Sequence, residues 1–263
     1  MYSRPTVYKI YSIVSAIFAI YTFIQCIINA FILPVGLFSN IQAVANLLTT
    51  TKIIMIVFAV INLFFAYMDF SSFYCFSKLV DYDLQSKEQG TVLPGFILPP
   101  NVYKMYGKIL YWLSVICFLL SIIVSIAIGV STGVFIALPL TILISGIGIP
   151  LLYFTIYTRY TKIAELMASL NENKKIIYEK NASNYTIYRQ FSHLFYVLTV
   201  ISIIIGVVSL IVLCLSPAIV MLPVGQIVLV ILSIIVSMFT GFLSNLTLAS
   251  FYSYLSKKSV SEN

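Results

Sequence analysis

The chain is short of charge, and shorter still of acidic charge: eight Asp and Glu stand against fifteen Lys and Arg in 263 residues. Charged residues make up only 9% of it, hydrophobic ones 61%, and the mean hydropathy is +1.05. Soluble domains are roughly a quarter charged, so this composition excludes a soluble fold and implies an integral membrane protein. Histidine is almost missing. With His193 alone, a histidine-rich metal centre or two-imidazole haem ligation within one chain is excluded. Cys26, Cys75, Cys117 and Cys214 fall singly in four different apolar runs with no CxxC spacing, which points to small apolar packing residues and not to a disulfide framework or metal site. No phosphate-binding loop, dinucleotide fingerprint, Ser-His-Asp set or pair of carboxylates within one span can be assembled. The expectation is no enzyme, no cofactor and no metal.

What is present is apolar length. Six runs, about residues 10–33, 53–76, 109–130, 134–157, 191–215 and 219–254, each exceed the roughly 20 residues needed to cross a hydrocarbon core of about 30 Å. The first follows Arg4 and Lys9 but is too long for the apolar core of a secretory signal, about 7–15 residues, and is read as a permanent span. The fold class expected is all-α: a polytopic transmembrane bundle of six spans, as a single membrane domain over 1–263.

The basic residues fix the orientation expected. Fourteen of the fifteen precede span 1, lie between spans 2 and 3 or spans 4 and 5, or follow span 6; only Lys52 lies on the other side. Lys and Arg accumulate on the cytoplasmic face of membrane proteins, so both termini are expected in the cytoplasm of a cell-membrane protein. A basic inner surface also suits anionic lipid, and the net charge of +7 needs no nucleic-acid partner.

Two short phrases recur in step with the spans. VYKIY (7–11), VYKMY (102–106) and a worn NYTIY (184–188) open the odd-numbered spans, whereas FYCFSK (73–78), YTRYTK (157–162) and FYSYLSK (251–257) close the even-numbered ones. The chain thus reads as three tandem helix hairpins, pseudo-repeats 1–85, 101–172 and 183–258. Tyrosine and lysine favour the headgroup layer, so Tyr8, Tyr11, Tyr103, Tyr106, Tyr185 and Tyr188 are expected to be interfacial anchors. Each hairpin also carries a Leu-Pro in its outer half, at Pro34, Pro139 and Pro223. After span 4, Ile163, Leu166, Met167 and Leu170 recur at helical spacing opposite Lys162, Glu165 and Asn171, which predicts an amphipathic helix ended by NENKK (171–175).

Few polar groups fall within the spans. Ser233, Ser237, Gly241, Asn245, Ala249 and Ser253 recur every fourth residue in span 6, and Ser121, Ser125 and Gly129 echo them in span 3. Lipid gives helices no hydrophobic drive to associate, and small residues at this spacing let backbones approach, so helix packing is expected, with a pore lining as the alternative. Asp69 is the one acidic residue within a span and shares a face with Asn62. An intramembrane carboxylate can mark a transport path or a helix-packing hydrogen bond. Gly146, Gly148 and Pro150, in SGIGIP, predict a weakened span 4, and broken helices line many transporter sites.

The three-hairpin plan is similar to that of mitochondrial carriers, but their Pro-x-Asp/Glu-x-x-Lys/Arg signature is missing: Pro34 is followed by VGLFS, and no acidic residue adjoins Pro139. In its Ile-, Tyr- and Ser-rich style the chain resembles uncharacterised six-span membrane proteins of thermoacidophilic archaea, a resemblance that implies no particular activity. Membrane lipid and a protein partner or second copy are the partners expected. The function expected is a structural or accessory subunit of a membrane assembly; the alternative is a transporter or channel for a small neutral or weakly charged solute.

Overall fold

The computed structural model describes residues 5–32, 42–85, 97–132, 148–173, 176–215 and 224–260. These are almost entirely helical. Helix α1 spans Pro5–Ile32, α2 Gln42–Gln85 and α3 Pro100–Thr132. A helical stretch over 148–152 passes through a π-helical segment, Tyr153–Thr158, into α4, Arg159–Asn173. Helices α5, Ala182–Leu215, and α6, Val224–Lys258, complete the chain. Among the described residues, Pro5–Ile24, Ala59–Leu84, Pro100–Ala127, Ala182–Leu215 and Val230–Lys258 are long and apolar enough to cross a membrane. The expected span 134–157 lies partly outside the described residues, as do Pro34, Pro139, Gly146 and Pro223.

The helix starts follow simple chemistry. Proline opens α1 and α3, where its fixed φ suits the first turn and its missing N–H costs nothing. At α5 the Asn181 side-chain oxygen accepts from the Ser183 amide at 2.9 Å, a side-chain cap on an orphan donor. The helices outrun the apolar runs that announce them. Helix α2 has 44 residues, about 66 Å at 1.5 Å per residue, roughly twice a hydrocarbon core.

The chain divides into two compact units, residues 1–77 with 185–257, and residues 78–184 with 258–263. The first holds α1, most of α2 and nearly all of α5 and α6. Its packed interior lies at the ends that carry the tyrosine phrases, where Tyr8, Phe73, Cys75, Phe76, Phe251 and Tyr252 are all fully buried. Farther along α5 and α6, Val200, Ile204, Val208, Ile211, Val228 and Phe239 are exposed. Water drives aromatic side chains together, whereas lipid tails solvate aliphatic ones as well as a neighbouring helix does. A dense knot at one end and uncovered aliphatic faces beyond it are what two solvents would produce.

The second unit contains the end of α2, α3, the π-helical segment and α4. Ile163, Leu166 and Met167 of α4 are buried while Glu165 and Asn171 are exposed, and the helix ends at Asn173, as the amphipathic pattern predicts. Lys162 pairs with Glu165 at 2.7 Å and Glu179 at 3.5 Å, and Lys258 with Asp83 at 2.6 Å.

Candidate functional site

The repeated phrases meet each other. In the first hairpin Tyr8 meets Phe76 edge-on at 4.8 Å between ring centroids, and Tyr11 meets Phe73 at 4.9 Å. In the second, Tyr103 stacks on Tyr160 at 6.4 Å and Tyr106 meets the same ring edge-on at 4.9 Å. In the third, Tyr188 stacks on Tyr252 at 6.0 Å. The opening and closing phrases of each hairpin are thus partners across a helix pair. This revises the anchor expectation: Tyr8, Tyr11, Tyr103, Tyr106 and Tyr188 are buried, and Tyr185 alone of the six is partly exposed, its hydroxyl accepting from Arg189 at 3.2 Å. Edge-to-face pairs contribute about 0.5–1.5 kcal/mol beyond burial, an energy a lipid-facing tyrosine does not collect.

Phe76 joins the helices of the first unit. Besides Tyr8 it contacts Phe251 at 4.6 Å and Tyr254 at 5.7 Å, so α1, α2 and α6 share one ring. Beside it the Ser77 hydroxyl donates to the Pro5 carbonyl at 2.8 Å, an acceptor in the first turn of α1.

The small-residue stripe of α6 faces α5. Asn245 donates to the Ser202 hydroxyl at 2.9 Å and to the Leu198 carbonyl at 3.4 Å, and Ser192 donates to the Ala249 carbonyl at 2.9 Å. Gly241 lies against Ser202, which a Cβ would meet at 3.6 Å, ordinary contact. Ser237 is exposed and Ser233 half-buried. Alanine fits at Gly241 and gains helix propensity of about 0.8–1 kcal/mol, while leucine drives further carbons at Ser202 and overpacks by roughly 1–3 kcal/mol. Melting of the purified variants in detergent should therefore rise or hold for Gly241→Ala and fall for Gly241→Leu. A melt unchanged by leucine would show that the seam is loose.

On α3, Gly129 is buried and Ser125 half-buried, and the side chain of Ser121 lies outside the described residues. Asp69 is half-buried on α2, its carbonyl accepting from the Ser72 hydroxyl at 3.0 Å, and the Asn62 side chain is outside the described residues. Gly148 is a packing position: a Cβ there would come within 2.8 Å of the Phe118 ring. Pro150 is exposed in regular helix, and the interruption falls later, at Tyr153–Thr158. There the Thr155 hydroxyl donates to the Leu151 carbonyl at 2.7 Å, competing with the backbone for a ladder acceptor, while Tyr153 and Tyr157 pack on Tyr111 at 5.7 and 5.9 Å. The π-helical turn thus coincides with a back-bonded hydroxyl and a cluster of three tyrosines, several residues beyond the Gly/Pro cluster.

Two close approaches lie outside the stripes on α3 and α6. A Cβ at Gly107 would come within 2.8 Å of Tyr160 Cβ, and one at Gly206 would collide with the side chain of Met238. Gly107 has no small residue four positions away, whereas Gly206 follows Ser202 by four on α5. Arg159, buried with its guanidinium 4.3 Å from the centroid of the Tyr160 ring, was not singled out by sequence either. His193 is exposed, and among the described residues no three His, Cys, Asp or Glu gather as a metal site would require. Comparison of the chain with protein-family models, with curated proteins and with solved structures finds no match in any of the three.

Proposed function

We propose that this membrane-spanning helical protein is a structural or accessory subunit of a membrane assembly, seated in the cell membrane with both termini and the tyrosine-rich ends in the cytoplasm. One observation carries this reading: hydroxyls along the spans are turned inward on the backbone. Thr22, Ser114, Thr155, Thr199, Ser202, Thr240 and Thr247 each donate to the carbonyl four residues earlier, at 2.6–2.9 Å. A solute path needs donors aimed at a lumen; among the described residues these seven hydroxyls place their protons on their own helices, and the Asn245 amide donates to Ser202 on a neighbouring one. The uncovered aliphatic faces of α3 and α5 offer lipid or another chain's helices a broad contact.

Native mass measurement after extraction in a mild detergent tests this. The expected particle contains more protein than one 29.5 kDa chain, either a second copy or a companion in fixed ratio. A single chain overturns the proposal. The transport alternative draws on the π-helical segment, since such insertions often occur at functional sites. It requires solute flux into proteoliposomes that Asp69→Asn abolishes.

A further inference from the structure

Helix α3 has its rotation fixed by the second unit. Tyr103, Tyr106 and Gly107 are buried, the rings against Tyr160 and the glycine backbone tight against the same residue. At 100° per residue, Lys104, Lys108, Trp112, Ile116, Leu119 and Ile123 then fall on the opposite side, and all six are exposed. The order along this face is two ammonium groups one turn apart, then the only tryptophan of the chain, then aliphatic side chains.

We propose that this face seats an anionic phospholipid, with Lys104 and Lys108 on the headgroup phosphate and its acyl chains along Ile116, Leu119 and Ile123. Neither lysine has an ion-pair partner among the described residues, and α3 contains no Asp or Glu from Pro100 to Thr132. Lys162 and Lys258 of the same unit differ in this respect, being neutralised by carboxylates. Lysine stems reach toward the water layer while their methylenes stay on apolar surface. Trp112, one turn beyond Lys108, falls at the depth where an indole prefers the headgroup boundary. The positive end of the α3 dipole lies on the same side as the lysines and adds to the attraction for phosphate. A zwitterionic lipid satisfies the aliphatic part of the face but leaves the two ammonium groups without a net counter-charge. An anionic lipid satisfies both. The proposal rests on the membrane reading of α3 and specifies which lipid that helix selects.

Trp112 makes the test direct, because its fluorescence reports only this face. The full-length chain is reconstituted in phosphatidylcholine vesicles containing rising fractions of brominated phosphatidylcholine or brominated phosphatidylglycerol, whose bromines quench indole on contact. Half-quenching is expected at a mole fraction of the anionic lipid lower by up to about 25-fold, since each of the two lysines near the surface favours it about fivefold. Lys104→Gln with Lys108→Gln should bring the two curves together, and Lys104→Arg with Lys108→Arg should keep them apart; circular dichroism verifies that both variants are folded. Equal quenching by the two lipids in the native chain, or a preference that survives the double glutamine change, overturns the proposal. Absence of quenching by either lipid is a different failure, showing that Trp112 does not face acyl chains and removing the membrane placement of α3.

Discussion

Phe76→Ala should lower the stability of the first unit by about 3–5 kcal/mol, the range for truncating a buried aromatic ring. Phe76 is fully buried, and its ring is shared by Tyr8, Phe251 and Tyr254 on two other helices. Alanine therefore leaves a cavity that no single helix can close by shifting, and three aromatic contacts disappear together. Reversible unfolding in mixed micelles with increasing sodium dodecyl sulfate, followed by far-ultraviolet circular dichroism, measures the loss. Phe239→Ala is the control. Phe239 is exposed on α6, so its removal should change the same transition by no more than about 0.5 kcal/mol. If the two variants unfold alike, the aromatic knot does not hold these helices together.

A second large effect is expected at Gly107, for the opposite reason. Here atoms are added where none fit: the new carbon meets Tyr160 at its Cβ, which is tied to the α4 backbone and cannot swing aside as a side-chain tip can. Gly107→Ala gains about 0.8–1 kcal/mol of helix propensity but must separate α3 from α4, and overpacking costs typically 1–3 kcal/mol. Gly107→Val adds branched bulk and should exceed alanine clearly. Both changes disturb the packing of Tyr103 and Tyr106 on Tyr160, so the near-ultraviolet circular dichroism of the tyrosines should weaken before helix content falls. Gly206→Ala should be milder. Its obstacle is a methionine side chain, the most adaptable in the core repertoire. A Gly107→Ala protein as stable as the native chain would mean that α3 and α4 are not in contact as described.

Helical class, the amphipathic α4 and the pairing of spans into hairpins were legible because each depends on a pattern within one segment: apolar length, a 3.6-residue period, or a phrase at a boundary. The roles of the tyrosines were not. VYKIY looks the same whether its rings face headgroups or each other, and only the partner phrase on another helix, FYCFSK, decides between them. The stripe on α6 was visible as a period, yet its partners Ser192, Leu198 and Ser202 sit on α5 without a matching series. Helix lengths were underestimated because hydropathy reports the part that crosses lipid, and α2 continues past it to Gln85. The Gly/Pro cluster in SGIGIP marked the right helix but not the altered turn, which falls at Tyr153–Thr158, where no breaker residue stands.

The first compact unit is discontinuous along the chain: residues 1–77 are completed by residues 185–257, with residues 78–184 of the second unit inserted between them. Phe76 is therefore made long before Phe251 and Tyr254. At a synthesis rate of about 5–20 residues per second, the nascent polypeptide carries an unfinished aromatic surface for on the order of ten seconds or more. The second hairpin, whose rings all come from residues 103–160, can close while translation is still under way. The second hairpin can thereby close before the aromatic surface of the first unit is complete, and a ribosome stalled before α6 should leave the first hairpin dependent on the insertion machinery for shelter.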